Sequence, residues 1–437
     1  MMTVEDLADR LREHNEQQLR AYIATVNLHH RLSRVRVRDG EKIRIHFLYI
    51  SDVLWPVWAS FYDACREDDR METKLVFLEF APGILPGRPS AQARDFLRKN
   101  RIPHIAYEEY DPFAERPHLL VYQIPYNDRY LHFAKLKANY IKEAGIRPVY
   151  ISYGIEYDMP RTCPDLPESR LNMLHYRQYV QLFAWKVIVM HEDIRDGFYR
   201  HCLAGGSHIA VWGNPKFDAY AGGISLPAPE ELRRKAAGRP MLAWQVHHFW
   251  NDFASDPART HSLPVTRMRE IFLWLREQRR VFTAVTFHPQ FAEDGVQSGQ
   301  ATLEEIENLK ILIDESPNTA LYEGPYQSLL AGAEAFVTEK SSLMLEMAFL
   351  GKPTLLLQDL KVAFKPFAGA IAASFYHGEG LDDVKTFFRI VEGAAPDTLA
   401  EERKRVRAEY FSRCDGRIGE RIKTYLVESL LAEQAET

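Results

Sequence analysis

The sequence predicts an α/β protein built as two parallel-sheet domains that face a central cleft. Two sets of short apolar runs alternate with helical stretches, and a Gly/Pro/charge-rich break separates them. The runs are apolar almost throughout rather than every second residue, which is how strands buried on both faces read. Strand–helix alternation of this kind gives parallel sheets with helices on both sides.

Composition sets the outer limits. At 437 residues the chain is too long for one compact core, and roughly 150 residues per domain gives two or three units. Hydrophobic residues at 46% and charged residues at 26% are ordinary globular usage, which excludes disorder as the main state. A net charge of −5 and a pI near 6.4 argue against a nucleic-acid-coating protein. Cys65, Cys163, Cys202 and Cys414 lie far apart with no C-x-x-C. A disulfide scaffold and a zinc ribbon are therefore out, and a reducing cytosol fits. The polar N-terminus and the lack of a long apolar run predict neither a signal peptide nor a spanning helix.

The first 30 residues predict a helix opened by a capping-box pattern at Thr3 and Asp6, with Val4, Leu7, Leu11, Leu19, Tyr22 and Val26 at three- and four-residue steps. Its narrow apolar stripe is expected to pack on a neighbouring subunit, making a homo-oligomer, or on the domain edge. The basic stretch RLSRVRVRDGEKIR at 31–44 reads as a solvated linker or as a contact for anionic lipid or an acidic acceptor. Strands of the first domain are expected at 43–50, 74–80, 102–107, 118–126, 147–154, 186–190 and 208–213, with helices such as AQARDFLRKN between them. The break is YAGGISLPAPEELRRKAAGRP at 220–240. A second set follows at 240–246, 281–287, 319–324, 335–338 and 354–358, and a charged helical segment covers about 399–434. The expected units are a helix at 1–40, a domain at 41–225 and a domain at 226–437. Ligands of such sheets bind beyond the carboxyl ends of the strands.

Four stretches reach that rim. In EAFVTEKSSLMLEMAFLGKPTLLLQ at 334–358 a strand ends at Thr338, a helix is expected to open at Ser341 or Ser342, and Gly351 stops it. Two hydroxyls and free N–H groups there suit a phosphate, and Glu346 one turn on could accept ribose hydroxyls; plain helix capping and a solvated Glu346 are the bland alternative. In VFTAVTFHPQ, His288 ends a strand before a Pro, placed to hold a diphosphate oxygen, to protonate a leaving group, or to serve structure alone. In YISYGIEYD, Tyr153, Glu156 and Asp158 flank Gly154, where the backbone could approach a ligand. In WQVHHFWNDF, His247 and His248 could grip a base or an acceptor, but adjacent strand residues cannot share a metal. The Asp68–Asp69 and Asp382–Asp383 pairs make no credible metal site, and H-E-x-x-H, Walker A and early G-x-G-x-x-G motifs are missing. Metallohydrolase, ATP-loop and NAD readings fall away.

The run GNPKFDAY, FHPQ and YQSLLAGAEAFVTEKSSLMLEMAFLGKPTLLL resembles the C-terminal half of the CDP-glycerol glycerophosphotransferase family, polymerases of teichoic acid and capsule with GT-B architecture. The matching positions are Gly213, Pro215, Lys216 and Asp218; His288 and Pro289; Thr338, Ser341, Ser342 and Glu346; and Gly351, Lys352 and Pro353. The likeness spans mainly 210–360. It implies two Rossmann-like domains, a nucleoside-diphosphate donor held by Ser341 and Ser342, His288 contacting or protonating it, and Gln327 and Thr338 near it, with His247 beside them. No cofactor or metal is implied beyond the donor itself. The chain departs from the family where Ser152-Tyr153-Gly154 stands in place of Trp-His-Gly, the His of which serves as base. Glu156 or Asp158 would then be the base, with Tyr153 and Gly154 at the acceptor. Glu339 and Lys340 also replace the family's usual Asp and aromatic residue. The resemblance implies a transferase acting on a glycan or polyol-phosphate acceptor; with the cysteine usage this gives a cytoplasmic protein, any membrane contact of which would be peripheral. The donor stays open between CDP-polyol and nucleotide sugar. A sugar-nucleotide epimerase and a non-catalytic nucleotide- or glycan-binding protein are the other classes.

Overall fold

The computed structural model describes residues 4–80, 90–126, 133–154, 175–221, 226–247, 263–357, 364 and 366–435. Among these, seven strands form the first sheet: β1 (Ile43–Tyr49), β2 (Met71–Phe77), β3 (Ile105–Ala106), β4 (Leu119–Tyr122), β5 (Arg147–Ile151), β6 (Lys186–Val189) and β7 (Ile209–Val211). Their order is β3-β2-β1-β4-β5-β6-β7, every pair parallel. The second sheet has β8 (Met241–Val246), β9 (Phe282–Phe287), β10 (Thr319–Leu321), β11 (Ala335–Thr338), β12 (Thr354–Leu357) and β13 (Tyr376–Gly378). Its order is β10-β9-β8-β11-β12-β13, again all parallel. Continuous apolar runs become continuously buried strands: all six residues of β8 and all four of β4, β11 and β12 are buried. In each sheet the order reverses beside the first strand, between β1 and β4 and between β8 and β11. Such switch points open a crevice at the carboxyl ends.

The first helix runs Val4–Ser33 and lies on its own domain edge. Ile23 and Val26 are buried, each contributing roughly 1.5–3 kcal/mol. Tyr22 meets Phe183 edge-on at 5.6 Å and accepts from Asn139 Nδ2 at 2.7 Å. Its packing on the domain edge matches one of the two expectations for this helix. The charged tail forms two helices, Ala400–Tyr410 and Ile418–Ala435.

The terminal helix, expected with the second domain, packs on the first. Asp218 accepts from the N–H groups of Ile418 at 3.0 Å and Gly419 at 2.9 Å, and from Ser60 Oγ at 2.6 Å. This helix and the helix Ala59–Arg66 come so close there that a Cβ on Gly419 would lie 2.4 Å from the Ser60 carbonyl carbon. At its far end Glu433 pairs with Arg34 and Arg147. The 220–240 break is partly helical, at Glu230–Ala236. On the hinge side the domains share an aromatic cluster, with ring centroids of Phe217, Phe349 and Phe411 5.2–5.7 Å apart.

Candidate active site

The second sheet's switch point collects the first group. His247 follows β8, His288 follows β9, and the 339–342 turn follows β11, so three neighbouring strands, about 4.8 Å apart, deliver them to one rim. Register keeps the two histidines level, because Val246 pairs with Phe287, and their rings lie 5.0 Å apart at 48°. The N–H of Gln290 donates to His288 Nδ1 at 3.2 Å. That assigns the neutral-ring proton to Nε2, which makes the far edge of the ring a donor suited to an anionic oxygen. The His288 backbone is fixed by its own N–H to Val246 O at 2.8 Å and by the Phe291 N–H to its carbonyl at 2.9 Å.

Glu339 is fully buried and clamps this rim. Its carboxylate accepts from the His247 N–H at 2.7 Å and the Leu263 N–H at 3.2 Å. Thr338, expected on the donor, is also fully buried; its hydroxyl reaches Gln245 Oε1 at 2.9 Å and the Glu339 carbonyl at 2.8 Å, so it ties β11 to β8. The helix opens at Met344 rather than at Ser341 or Ser342. Ser341 is buried and its Oγ accepts from the Leu343 N–H at 3.0 Å, forming a turn before the helix. Ser342 is half-buried on that turn. Gly351 stops the helix at φ +69°, and Lys352 Nζ donates to the Ala331 and Ala333 carbonyls at the end of the helix Tyr326–Gly332.

Glu346 has neither of its expected surroundings. It is fully buried, with Oε2 3.0 Å from Lys216 Nζ and Oε1 accepting from Tyr220 OH at 3.0 Å. Both carboxylate oxygens are thus engaged across the hinge, and ribose hydroxyls could replace these partners only if the cluster opened. Burial beside this carboxylate holds the Tyr220 hydroxyl well above its usual pKa. Gln327, expected near the nucleotide, donates to the Lys216 carbonyl at 3.2 Å. The GNPKFD run is therefore a junction: Asn214 bonds the Ser152 carbonyl at 2.8 Å, Lys216 reaches the second domain, and Asp218 seats the terminal helix.

Across the cleft, Tyr153 follows β5 and is half-buried, its hydroxyl on that of Tyr126. Gly154 has φ +133°, a conformation that side chains rarely adopt. Glu156 and Asp158 lie outside the described residues, as does His248. Sequence reasoning missed three contributors. Gln123, at the β1–β4 switch point, accepts from Ile50 and Ser51 N–H at 2.7 and 2.9 Å. Tyr126 completes the tyrosine pair. His191, after β6, stacks on Phe367 of the other domain at 5.1 Å. Position at a strand's carboxyl end was the available signal for all three.

A variant of the wall teichoic acid polymerase TagF, soaked with CDPG, superposes with a TM-score of 0.56 at 12% identity, over 100% of both chains. The architecture is GT-B. The S. aureus MnaA–UDP co-structure gives a TM-score of 0.59 at 11% identity over 89% of this chain and 96% of that one. UDP-GlcNAc 2-epimerase from Neisseria meningitidis, bound to UDP-GlcNAc, gives 0.56 at 12% over 88% and 100%. The resemblance read at 210–360 is thus met at the level of the fold. No family model matches the chain, and no curated protein matches it by sequence.

Proposed function

We infer that the chain is a GT-B transferase of cell-surface polymer assembly. It moves a glycosyl or polyol-phosphate group from a nucleoside-diphosphate donor to a glycan or polyol-phosphate acceptor. The observation that carries this reading is the His247–His288 pair at the switch-point rim, with His288 Nε2–H as donor and the 339–342 turn on the next strand but one. A donor diphosphate at this crevice would meet an imidazole donor and the half-buried Ser342 hydroxyl. The acceptor would enter past Tyr153 and Gly154, with Glu156 or Asp158 taking its proton. The acceptor oxygen forms the new bond, the bond to the leaving nucleotide breaks, and His288 stabilises the charge that gathers on the leaving phosphate. Glu346 is then a positioning residue, holding the hinge through Lys216.

Thermal unfolding with CDP, CMP, UDP, GDP, ADP and TDP tests the donor site. One nucleotide at 100 times its Kd should add about 2.7 kcal/mol, and Ser342→Ala should shrink that gain. CDP would favour polyol-phosphate transfer, and UDP or GDP sugar transfer. With the donor known, His288→Ala should lower turnover about 10²–10⁴-fold with folding retained. No shift with any nucleotide would sink the donor site, and a donor isomerised without acceptor would replace transfer by epimerisation.

A further inference from the structure

The basic stretch and the end of the first helix have a role that the cleft does not use. At the amino ends of β5, β6 and β7, opposite the carboxyl ends that face the cleft, lies a cavity of about 230 Å³. The end of the first helix lines it with His30, Arg31 and Arg34; Lys142, Trp185 and His208 face them, and Glu433 closes one side.

Its charges do not balance. Lys142 is 7% exposed, and its Nζ donates to the Ala184 carbonyl at 3.0 Å. No carboxylate pairs with it among the described residues. Glu433 is shared by Arg34 at 3.1 Å and Arg147 at 2.7 Å, and Arg147 stacks over Trp185 at 5.6 Å. Lys142, Arg31 and Arg34 line the cavity as three cations against the one carboxylate of Glu433, which Arg147 behind the wall also shares. Buried cations persist when a counter-charge compensates their lost hydration.

The hydrogen-bonding groups are unfinished in the same place. His30 is 3% exposed, and its Nδ1 lies 3.1 Å from the Lys142 carbonyl. A carbonyl only accepts, so Nδ1 carries the proton. Burial, reinforced by Lys142, lowers the His30 pKa to about 4 and keeps the ring neutral. Nε2 is then a bare acceptor, buried with no partner, and Arg34 Nε is a buried donor with none. A ligand that completes this set needs anionic oxygens for the cations and a hydroxyl proton for His30.

We propose that this cavity binds a small hydroxylated phosphate ester, its phosphate held by Lys142 and Arg31 and a hydroxyl donating to His30 Nε2. Two sources share that chemistry, a free polyol phosphate and the polyol-phosphate headgroup of an anionic lipid. Leu28 and Leu32, 47% and 79% exposed beside Arg31, flank the cavity's helix.

Calorimetric titration of the full chain decides it, with glycerol 3-phosphate, inorganic phosphate and glycerol as probes. Glycerol 3-phosphate should bind once per chain, about tenfold more tightly than inorganic phosphate because of the hydroxyl contact, and glycerol should give no heat. Arg31→Gln, at an exposed position that folding does not need, should weaken binding about tenfold. Lys142→Met should abolish it, and Ser342→Ala in the cleft should leave it intact. Sedimentation with phosphatidylglycerol or phosphatidylcholine vesicles separates the sources. Capture by the former alone, lost in Arg31→Gln, assigns the headgroup; binding of the free ester without capture assigns the soluble ligand. The proposal fails if neither ester nor vesicle binds, or if binding is unchanged in Arg31→Gln and Lys142→Met.

Discussion

Lys216 and Glu346 keep two opposite charges out of water at the hinge, with side chains 3% and 0% exposed. Their attraction, together with the Tyr220 hydroxyl, offsets the desolvation of both. Such a pair adds little over a well-packed apolar pair, but breaking one side strands the other charge. Lys216→Met should therefore cost about 3–5 kcal/mol in urea unfolding, and Lys216→Met/Glu346→Leu should recover most of it. A single-variant loss below about 1 kcal/mol, the range of an exposed pair, would mean that water reaches the cluster. The sequence put Lys216 and Glu346 in one motif family but could not pair them, because 130 residues separate them.

The terminal helix shows what an element gains from a distant cap. Asp415 nearby takes the Arg417 N–H just before the first turn, and Asp218, 200 residues away, takes the Ile418 and Gly419 N–H groups. Asp218→Ala should lower stability by about 1–2 kcal/mol in urea unfolding. Asp218→Asn should lose much of the same, because both carboxylate oxygens accept and the amide turns one of them into a donor facing another donor; full stability in either variant would mean that the helix end is satisfied without this carboxylate. The charged helical segment expected over about 399–434 announced helix there, yet not its seat on the first domain. The strands were legible because burial on both faces leaves long apolar runs. β13 was not, being three residues with a polar His377 at its centre. The helix expected from Ser341 starts at Met344 because the Ser341 hydroxyl closes a turn on Leu343 first.

At the scale of the whole molecule, four histidines among the described residues are held neutral, chiefly by burial. Their pKa values fall from the ordinary 6.5 to about 4 for His30, His118 and His208 and to about 3 for His46. An unfolded chain takes up protons near 6.5, while the native one resists until about 4. Their contribution is complete above 6.5 and is lost as the pH falls through that window. The melting temperature should therefore drop on acidification from pH 6.5 towards 4, before most carboxylates titrate. A flat profile over that range would show that these rings are hydrated in the native state.

The sequence by itself determined the two parallel sheets, the cleft between them and the residues at its rim, since periodicity, caps and apolar runs are local properties of the chain. It marked His288, His247 and Tyr153 by their places at strand ends and Ser342 by the helix expected to open there. Tertiary structure alone decided which of the marked residues face one another. It turned Thr338 and Glu346 inward, made Asp218 a cap, and gathered Lys142, His30 and Glu433 around one cavity. Those outcomes depend on distances between segments far apart in sequence, and no local pattern encodes such distances.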